Sequence, residues 1–323
     1  MSVAVDELRV VDTYEGALDK DIRSAARELS PGDIRVLVDH YYALQDLRLQ
    51  VEGKTRAVVQ ERDEGSAFVV QTMLVRQRKL EDTVKGALAS WVSAESERHP
   101  DGPTAWAFSQ RGIGPVLATA LAAYLPGIER LSDGEPGADR ASEETGWERT
   151  RMKTKDGEII EGWKRPRSVP PTVGHWWRFA GLDPTLAWGK GEKRPWNADL
   201  KVLCYKIGES FVKVSGQENA FYGQLYAERK AFEVEKDLRG DNAESAAKCL
   251  ANGKRYAAGQ KAVYESGHLP QIQLHRRATR WVAKIFLAHY HEVAYFAEHR
   301  KPSPNPYVLD HVPGHAHKIV RPE

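Results

Sequence analysis

Between residues 30 and 94 two long runs repeat their apolar positions at the spacing of one helical face, and a chain so patterned has few ways to bury them. The first run starts sharply. Ser30-Pro31-Gly32-Asp33 offers an N-cap hydroxyl, a proline at the first helical position and an acid at the third. Ile34, Leu37, Val38, Tyr41, Leu44 and Leu47 then recur on one side of the helix. The second run, from about Ser66 to Ala94, does the same with Val69, Val70, Met73, Leu80, Val84, Leu88 and Trp91. Gly53 or Asp63-Glu64-Gly65 is expected to separate the two helices. A short joint between long helices predicts an antiparallel hairpin over 30–100, serving as a spacer or as a dimerisation element. His99-Pro100-Asp101-Gly102-Pro103 ends it.

The rest of the chain reads as mainly α. Residues 1–29 are charge-rich and weakly periodic, and are expected to form a mobile arm or a short helix. Residues 104–131 predict two short helices around Gly112-Ile113-Gly114-Pro115. An acidic loop, 132–145, follows, and Trp147–Trp163 predicts a small β-hairpin inserted in the helical fold, with Asp156-Gly157 as its turn. Ser168–Pro171 is expected to be a linker. Helices are expected again from His175, over Asn197–Val214, with glycine breaks over 218–264, and over Gln271–His299. The expected organisation is therefore an arm (1–29), a helical hairpin or coiled coil (30–100), a helix-hairpin-helix domain (104–215) carrying the β-hairpin (147–163), C-terminal helices (216–300) and an extended tail (301–323).

Composition narrows the function. With 41% hydrophobic and 28% charged residues the chain is neither collagen-like nor largely disordered. No apolar run approaches the roughly 20 residues of a membrane span, and Asp6 and Glu7 stand where a signal peptide would be apolar. The expectation is a cytoplasmic protein. Its two cysteines, Cys204 and Cys249, are too few for a disulfide framework or a zinc ribbon. The net charge of +2 hides an asymmetry: residues 1–146 sum to −8 and residues 147–323 to +10. A basic second half suggests a polyanionic partner, although solvated surfaces share this pattern.

Specific residues sharpen that suggestion. In Arg111-Gly112-Ile113-Gly114-Pro115-Val116-Leu117, Gly112 and Gly114 permit close backbone approach, and the amides of Val116 and Leu117 open a helix without intrahelical partners. With the helix dipole they favour an anion; a tight turn between packed helices would give the same tetrapeptide. Arg276, Arg280 and Lys284 recur at i, i+4 and i+8 on the last long helix, with Arg277 adjacent and Trp281, Val282, Ile285 and Phe286 opposite. This suits a helix lying along phosphates, or a solvated stripe. Arg149, Arg151, Lys153 and Lys155 alternate along the first hairpin strand. His311, His315 and His317, with His289 and His291, lack a cysteine partner and carry no metal assignment. Glu218, Glu228, Glu233 and Glu235 read as helix surface. Nucleotide, dinucleotide, GxSxG and HExxH motifs are absent, and no cofactor is expected.

The order of motifs carries a resemblance. After the GIGP turn come Ala180-Gly181-Leu182-Asp183-Pro184, the Gly189-Lys190-Gly191-Glu192-Lys193-Arg194 loop, and Asn197-Ala198-Asp199-Leu200-Lys201. This order, over roughly residues 30–215, resembles the C-terminal half of the bridge-RNA-guided insertion-sequence transposases, the IS-one-ten group. In that family a RuvC-like DEDD domain and a coiled coil precede this domain, and a catalytic serine lies after the GLxP turn. The resemblance implies DNA and a structured RNA as ligands and strand exchange as the ancestral activity.

Two departures matter. Only 29 residues precede Ser30, too few for the DEDD domain, and no serine lies between Pro184 and Asn197. Thr185 is the nearest hydroxyl, a poor nucleophile unless a base activates it. The expectation is a transposase-derived, dimeric DNA-binding protein without strand transfer, nucleoid-associated when bound. Gly112, Gly114, Val116 and Leu117 would hold one backbone and Lys190, Lys193, Arg194 and Lys201 another. Arg178, Asn197, Arg276, Arg280 and Lys284 would add contacts. The alternatives are a recombinase using another nucleophile (Ser168, Ser210 or Ser215) or a partner subunit, and a helical scaffold that binds proteins.

Overall fold

Ser30 does what its sequence position demands. Its Oγ accepts from the Asp33 amide at 3.2 Å and donates to the Asp33 carboxylate at 2.6 Å, so the first turn is capped before the apolar repeat begins. The helix that follows belongs to a mainly α protein, here in a computed structural model that describes residues 19–61, 64–125, 128–132, 148–153, 157–189, 191–252 and 255–305. The chain divides into two compact units, one formed by residues 1–108 and 114–168, the other by 109–113 and 169–323. Among the described residues no helix is long and apolar enough to cross a membrane.

The first unit is built on the antiparallel pair α2 (Pro31–Glu61) and α3 (Glu64–Arg98). Helix α2 runs through Gly53, so this glycine does not separate the two helices. Ile34 and Val38 of α2 and Leu88, Trp91 and Val92 of α3 are fully buried against α5 (Pro115–Tyr124), where Ala118 and Leu121 close the core. Thr119 Oγ1 donates to the Leu88 carbonyl, and Tyr124 OH donates to Asp39 at 2.5 Å. Toward the other end of the pair, Arg48 bonds both Glu81 and Glu52, and Arg78 also bonds Glu52. There Val69, Met73 and Leu80 are exposed, although they continue the stripe on which Trp91 is buried.

Of the two forms expected for the N-terminal segment, its described part, residues 19–29, takes the short helix and not the mobile arm. Residues 19–26 form helix α1, which lies on α3: Asp19 accepts from Thr83 Oγ1, Arg27 pairs with Glu97 at 2.8 Å, and the Trp91 indole donates to the Leu29 carbonyl at 2.9 Å. The periodicity of α1 is weak because its docking relies on polar contacts.

The expected β-hairpin is part of a larger element. Helix α4 (Pro103–Ser109) and α5 form as the sequence predicts, but 128–131 is not helical. Strands β1 (Ile128–Ser132), β2 (Glu148–Lys153) and β3 (Ile159–Ser168) make an antiparallel sheet of order β1-β3-β2. Gly157, at φ +91°, stands just before β3, and Arg151 pairs with Glu161 across the strands. Ser168, expected to open a linker, instead ends β3 opposite Ile128.

The second unit is helical: α6 (Val173–Phe179), α7 (Ala198–Lys213), α8 (Phe221–Leu238), α9 (Ala243–Ala251), α10 (Ala258–Glu265) and α11 (Gln271–His299). Its core stacks Phe211 on Tyr222, with Phe286 edge-on to both and Trp176 against Tyr290. The expected 104–215 stretch is thus shared between both units, with the chain changing unit after Phe108, Ile113 and Ser168. Glu233 corrects another expectation. It is 3% exposed and pairs with Arg229 at 2.5 Å and Arg277 at 3.6 Å, while Arg277 also donates to buried Asn242. Arg277 is therefore committed to the fold.

Candidate nucleic-acid interface

Each stretch of the expected interface has its own local geometry. Gly112 sits at φ +100° in the second unit, where a Cβ would lie 3.1 Å from the Phe211 ring and 3.2 Å from Val214. Only glycine satisfies both the left-handed backbone and this approach. Its carbonyl accepts from Ser210 Oγ. Gly112 therefore has a packing role. Gly114, in the first unit, differs: it is exposed, extended, and has nothing within 4 Å of its Cβ position. It precedes Pro115, and no side chain caps α5, so the amides of Val116 and Leu117 begin the helix without a capping partner.

In the second unit the turn after α6 is fixed by Gly181 (φ +63°), over which Trp196 packs so closely that a Cβ would fall 2.8 Å from its ring. The Asn197 amide donates to the Phe179 carbonyl, and the Asn197 side chain accepts from the Leu200 amide. Asn197 is thus the N-cap of α7, and its side-chain acceptor is in use. The following loop is held by aromatic and cationic side chains in alternation. Lys201 Nζ lies 4.1 Å over the Trp196 ring, Arg194 lies 5.3 Å over Trp188, and the two indoles meet edge-to-face at 6.1 Å. Trp188 donates to the Glu192 carbonyl, and Glu192 accepts from the Gly189 amide. Lys193 and Arg194 are exposed; Lys190 lies outside the described residues.

Helices α7 and α11 then unite two sets of cations that are 75 residues apart in sequence. Lys201, Cys204 and Tyr205 face Arg276, Thr279, Arg280 and Ala283 across a cleft of about 250 Å³, with Leu182 at one side. Among the described residues Lys201, Arg276 and Arg280 have no carboxylate partner. Burial first, and then the neighbouring Arg280 and Arg194 cations, hold the Lys201 ammonium below its ordinary pKa. Positive charge is concentrated here, with none of these three cations in an ion pair among the described residues. Lys284, one turn beyond, is more deeply set: its ammonium lies 4.3 Å over Trp177, whose indole donates to the Lys284 carbonyl. Burial lowers its pKa, Asp183 opposes this, and Arg280 lowers it again. Arg178 is exposed, 4.0 Å from Asp183.

Comparison with models of protein families, with curated proteins and with solved structures returns no match for this chain.

The nucleophile candidates are occupied. Thr185 Oγ1 donates to Asp183 at 2.7 Å, and the Thr185 amide donates to the same oxygen. Burial would raise the Asp183 carboxyl, but the Thr185 bonds and the Arg178 and Lys284 cations outweigh it and hold the pKa below its ordinary value. A carboxylate so stabilised is a poor base, and the contact reads as a turn lock. Ser210 and Ser215 donate to backbone carbonyls, and Ser168 is buried at the end of β3. Cys204 is buried at the cleft floor, its thiol pushed up to about 12 by burial.

The histidines do not converge. His289 bonds Tyr222 OH, and His291 bonds the Pro170 carbonyl, both deep in the core. The other three lie outside the described residues, as does Lys155, and no metal-ligating cluster occurs among the described ones. Burial depresses the His291 pKa to about 4; the Pro170 bond opposes this, and His175 and His299 add to it. An unfolded histidine titrates near 6.5. Stability from the neutral ring is therefore complete above that pH and is lost as pH falls from about 6.5 toward about 4. Urea midpoints at pH 7.5 and pH 4.5 should differ less in His291→Gln than in the wild type; equal pH dependence would refute this assignment.

Proposed function

We propose that this chain is a DNA-binding protein derived from the C-terminal half of the IS-one-ten group transposases, without strand-transfer activity of its own. One observation carries the reading: α7 and α11 bring Lys201, Arg276 and Arg280 to a single cleft with no carboxylate partner among the described residues. Lys193, Arg194 and exposed Trp188 stand on the adjoining loop. Clustered cations with interleaved aromatics suit a sugar-phosphate backbone, whose neutralisation releases counterions. Structured RNA offers the same phosphates and is the second ligand class. The exposed stripe of Val69, Met73 and Leu80 supports pairing of two copies through the helical hairpin. Nucleoid association follows from DNA binding.

The test is a polarisation titration with duplex, single-stranded and four-way-junction DNA and with structured RNA, at two salt concentrations. Binding should weaken steeply with salt. Gly114→Glu is the informative variant, because its side chain enters open space and the fold should tolerate it. A carboxylate beside the free α5 amides should lower affinity about ten-fold at low salt if they hold a phosphate. Salt-insensitive affinity, or no binding to any nucleic acid, would defeat the proposal; an unchanged Gly114→Glu would remove the α5 terminus from it.

A further inference from the structure

The cleft between α7 and α11 is more than a charged surface, because its mouth and floor differ in chemistry. Arg276 and Arg280 are exposed cations on its lining and Lys201, half-buried over Trp196, is a third, whereas Leu182, Cys204 and Ala283 are buried and apolar. Tyr205, 54% exposed, stands one turn along α7 from Lys201 and supplies an aromatic face at the side. The one hydroxyl toward the floor, Thr279 Oγ1, donates its proton to the His275 carbonyl and has none left to offer. The cleft lies beside a close approach of α7 to α11 at Gly208 and Thr279. A Cβ on Gly208 would lie 2.8 Å from the Thr279 carbonyl oxygen, and Cys204 and Lys201 lie one and two turns before that crossing.

A continuous duplex presents phosphates but keeps its bases stacked inside. It would use the cations and leave the apolar floor and the tyrosine without a role. About 250 Å³ is room for one planar base. We infer that this cleft receives an unpaired nucleotide of DNA, its phosphate held by Lys201, Arg276 and Arg280 and its base lodged on Leu182, Cys204 and Ala283 against the Tyr205 ring. Lacking free hydrogen-bond donors on its floor, the cleft accepts any base, since every base has a stacking face. The site then selects a structure, such as a gap, flap or junction, rather than a sequence. This inference rests on the DNA-binding reading above and specifies which DNA is bound.

The experiment compares a fully paired duplex with the same duplex carrying one unpaired nucleotide, by polarisation at fixed salt, for wild type, Tyr205→Ala and Tyr205→Phe. The wild type should prefer the unpaired nucleotide about ten-fold, Tyr205→Ala should lose that preference while still binding the duplex, and Tyr205→Phe should keep it. Tyr205 is exposed on α7, so both variants should fold. Equal affinity of the wild type for the two duplexes, or a preference that survives Tyr205→Ala, would overturn the inference and leave DNA binding standing. Failure of the wild type to bind either duplex would overturn both.

Discussion

Reversing two charges, Arg276→Glu with Arg280→Glu, is expected to weaken DNA binding by about two to three orders of magnitude at moderate salt. Each lost phosphate contact lowers the slope of log affinity against log salt by about 0.9, so the double variant should fall by about 2. The loss should be uniform across sequences, because phosphate contacts carry no base information. Both guanidinium groups are exposed and neither has a carboxylate partner among the described residues. Stability should therefore change by no more than about 0.5 kcal/mol. Arg239→Glu provides the control: Arg239 lies in the same unit but is paired with Glu235 and Asp241. If the double variant matched this control in affinity and salt slope, the cleft would not be the binding surface.

That cleft shows where sequence reading succeeds and where it stops. Arg276, Arg280 and Lys284 were visible as a stripe because helical spacing is a local property, and the Asn197 start of α7 was visible because an N-cap is a local chemical requirement. Their meeting with Lys201 depends on how two helices cross, and no local pattern encodes that. The same limit explains Arg277 and Glu233. Both looked like surface residues, and both are consumed by a network whose members come from three separate segments. β1 is not legible because Ile128-Glu129-Arg130-Leu131-Ser132 lacks strict alternation, although Pro126-Gly127 and Asp133-Gly134 flank it; only its pairing with β3 makes it a strand. For residues 19–26 the sequence leaves arm and short helix open, because α1 docks through Asp19, Arg27 and the Leu29 carbonyl rather than through an apolar stripe.

The GIGP turn divides more finely. Its motif joined two glycines, but the structure gives them different reasons. Gly112 answers to φ and to Phe211, and Gly114 answers to neither constraint. Where glycine is not required by packing, the open space beside it would let an anion reach the α5 amides, as the proposed function requires. The separation is testable because the two positions should respond differently: substitution at Gly112 should first damage the fold, and substitution at Gly114 should first change binding.

Gly208→Val is expected to destabilise the protein by about 3 kcal/mol, and the reason lies in the close approach of α7 to α11 beside the cleft. A Cβ at this position would stand 2.5 Å from Thr279 Cγ2 and 2.8 Å from the Thr279 carbonyl oxygen. The methyl group can be removed by Thr279→Ser, but the carbonyl is part of the α11 backbone and cannot retreat without moving the helix. Gly208→Ala should cost less, because alanine regains about 1 kcal/mol of helix propensity over glycine while adding one methyl group. Valine adds two more carbons, and its branched side chain forgoes most of that gain. Urea unfolding of the two single variants and of Gly208→Ala/Thr279→Ser separates these contributions. Partial recovery in the double variant would locate the remaining strain at the backbone of α11. Full recovery would mean that only the Thr279 methyl matters. A Gly208→Val protein as stable as the wild type would show that α7 and α11 do not approach so closely beside the cleft.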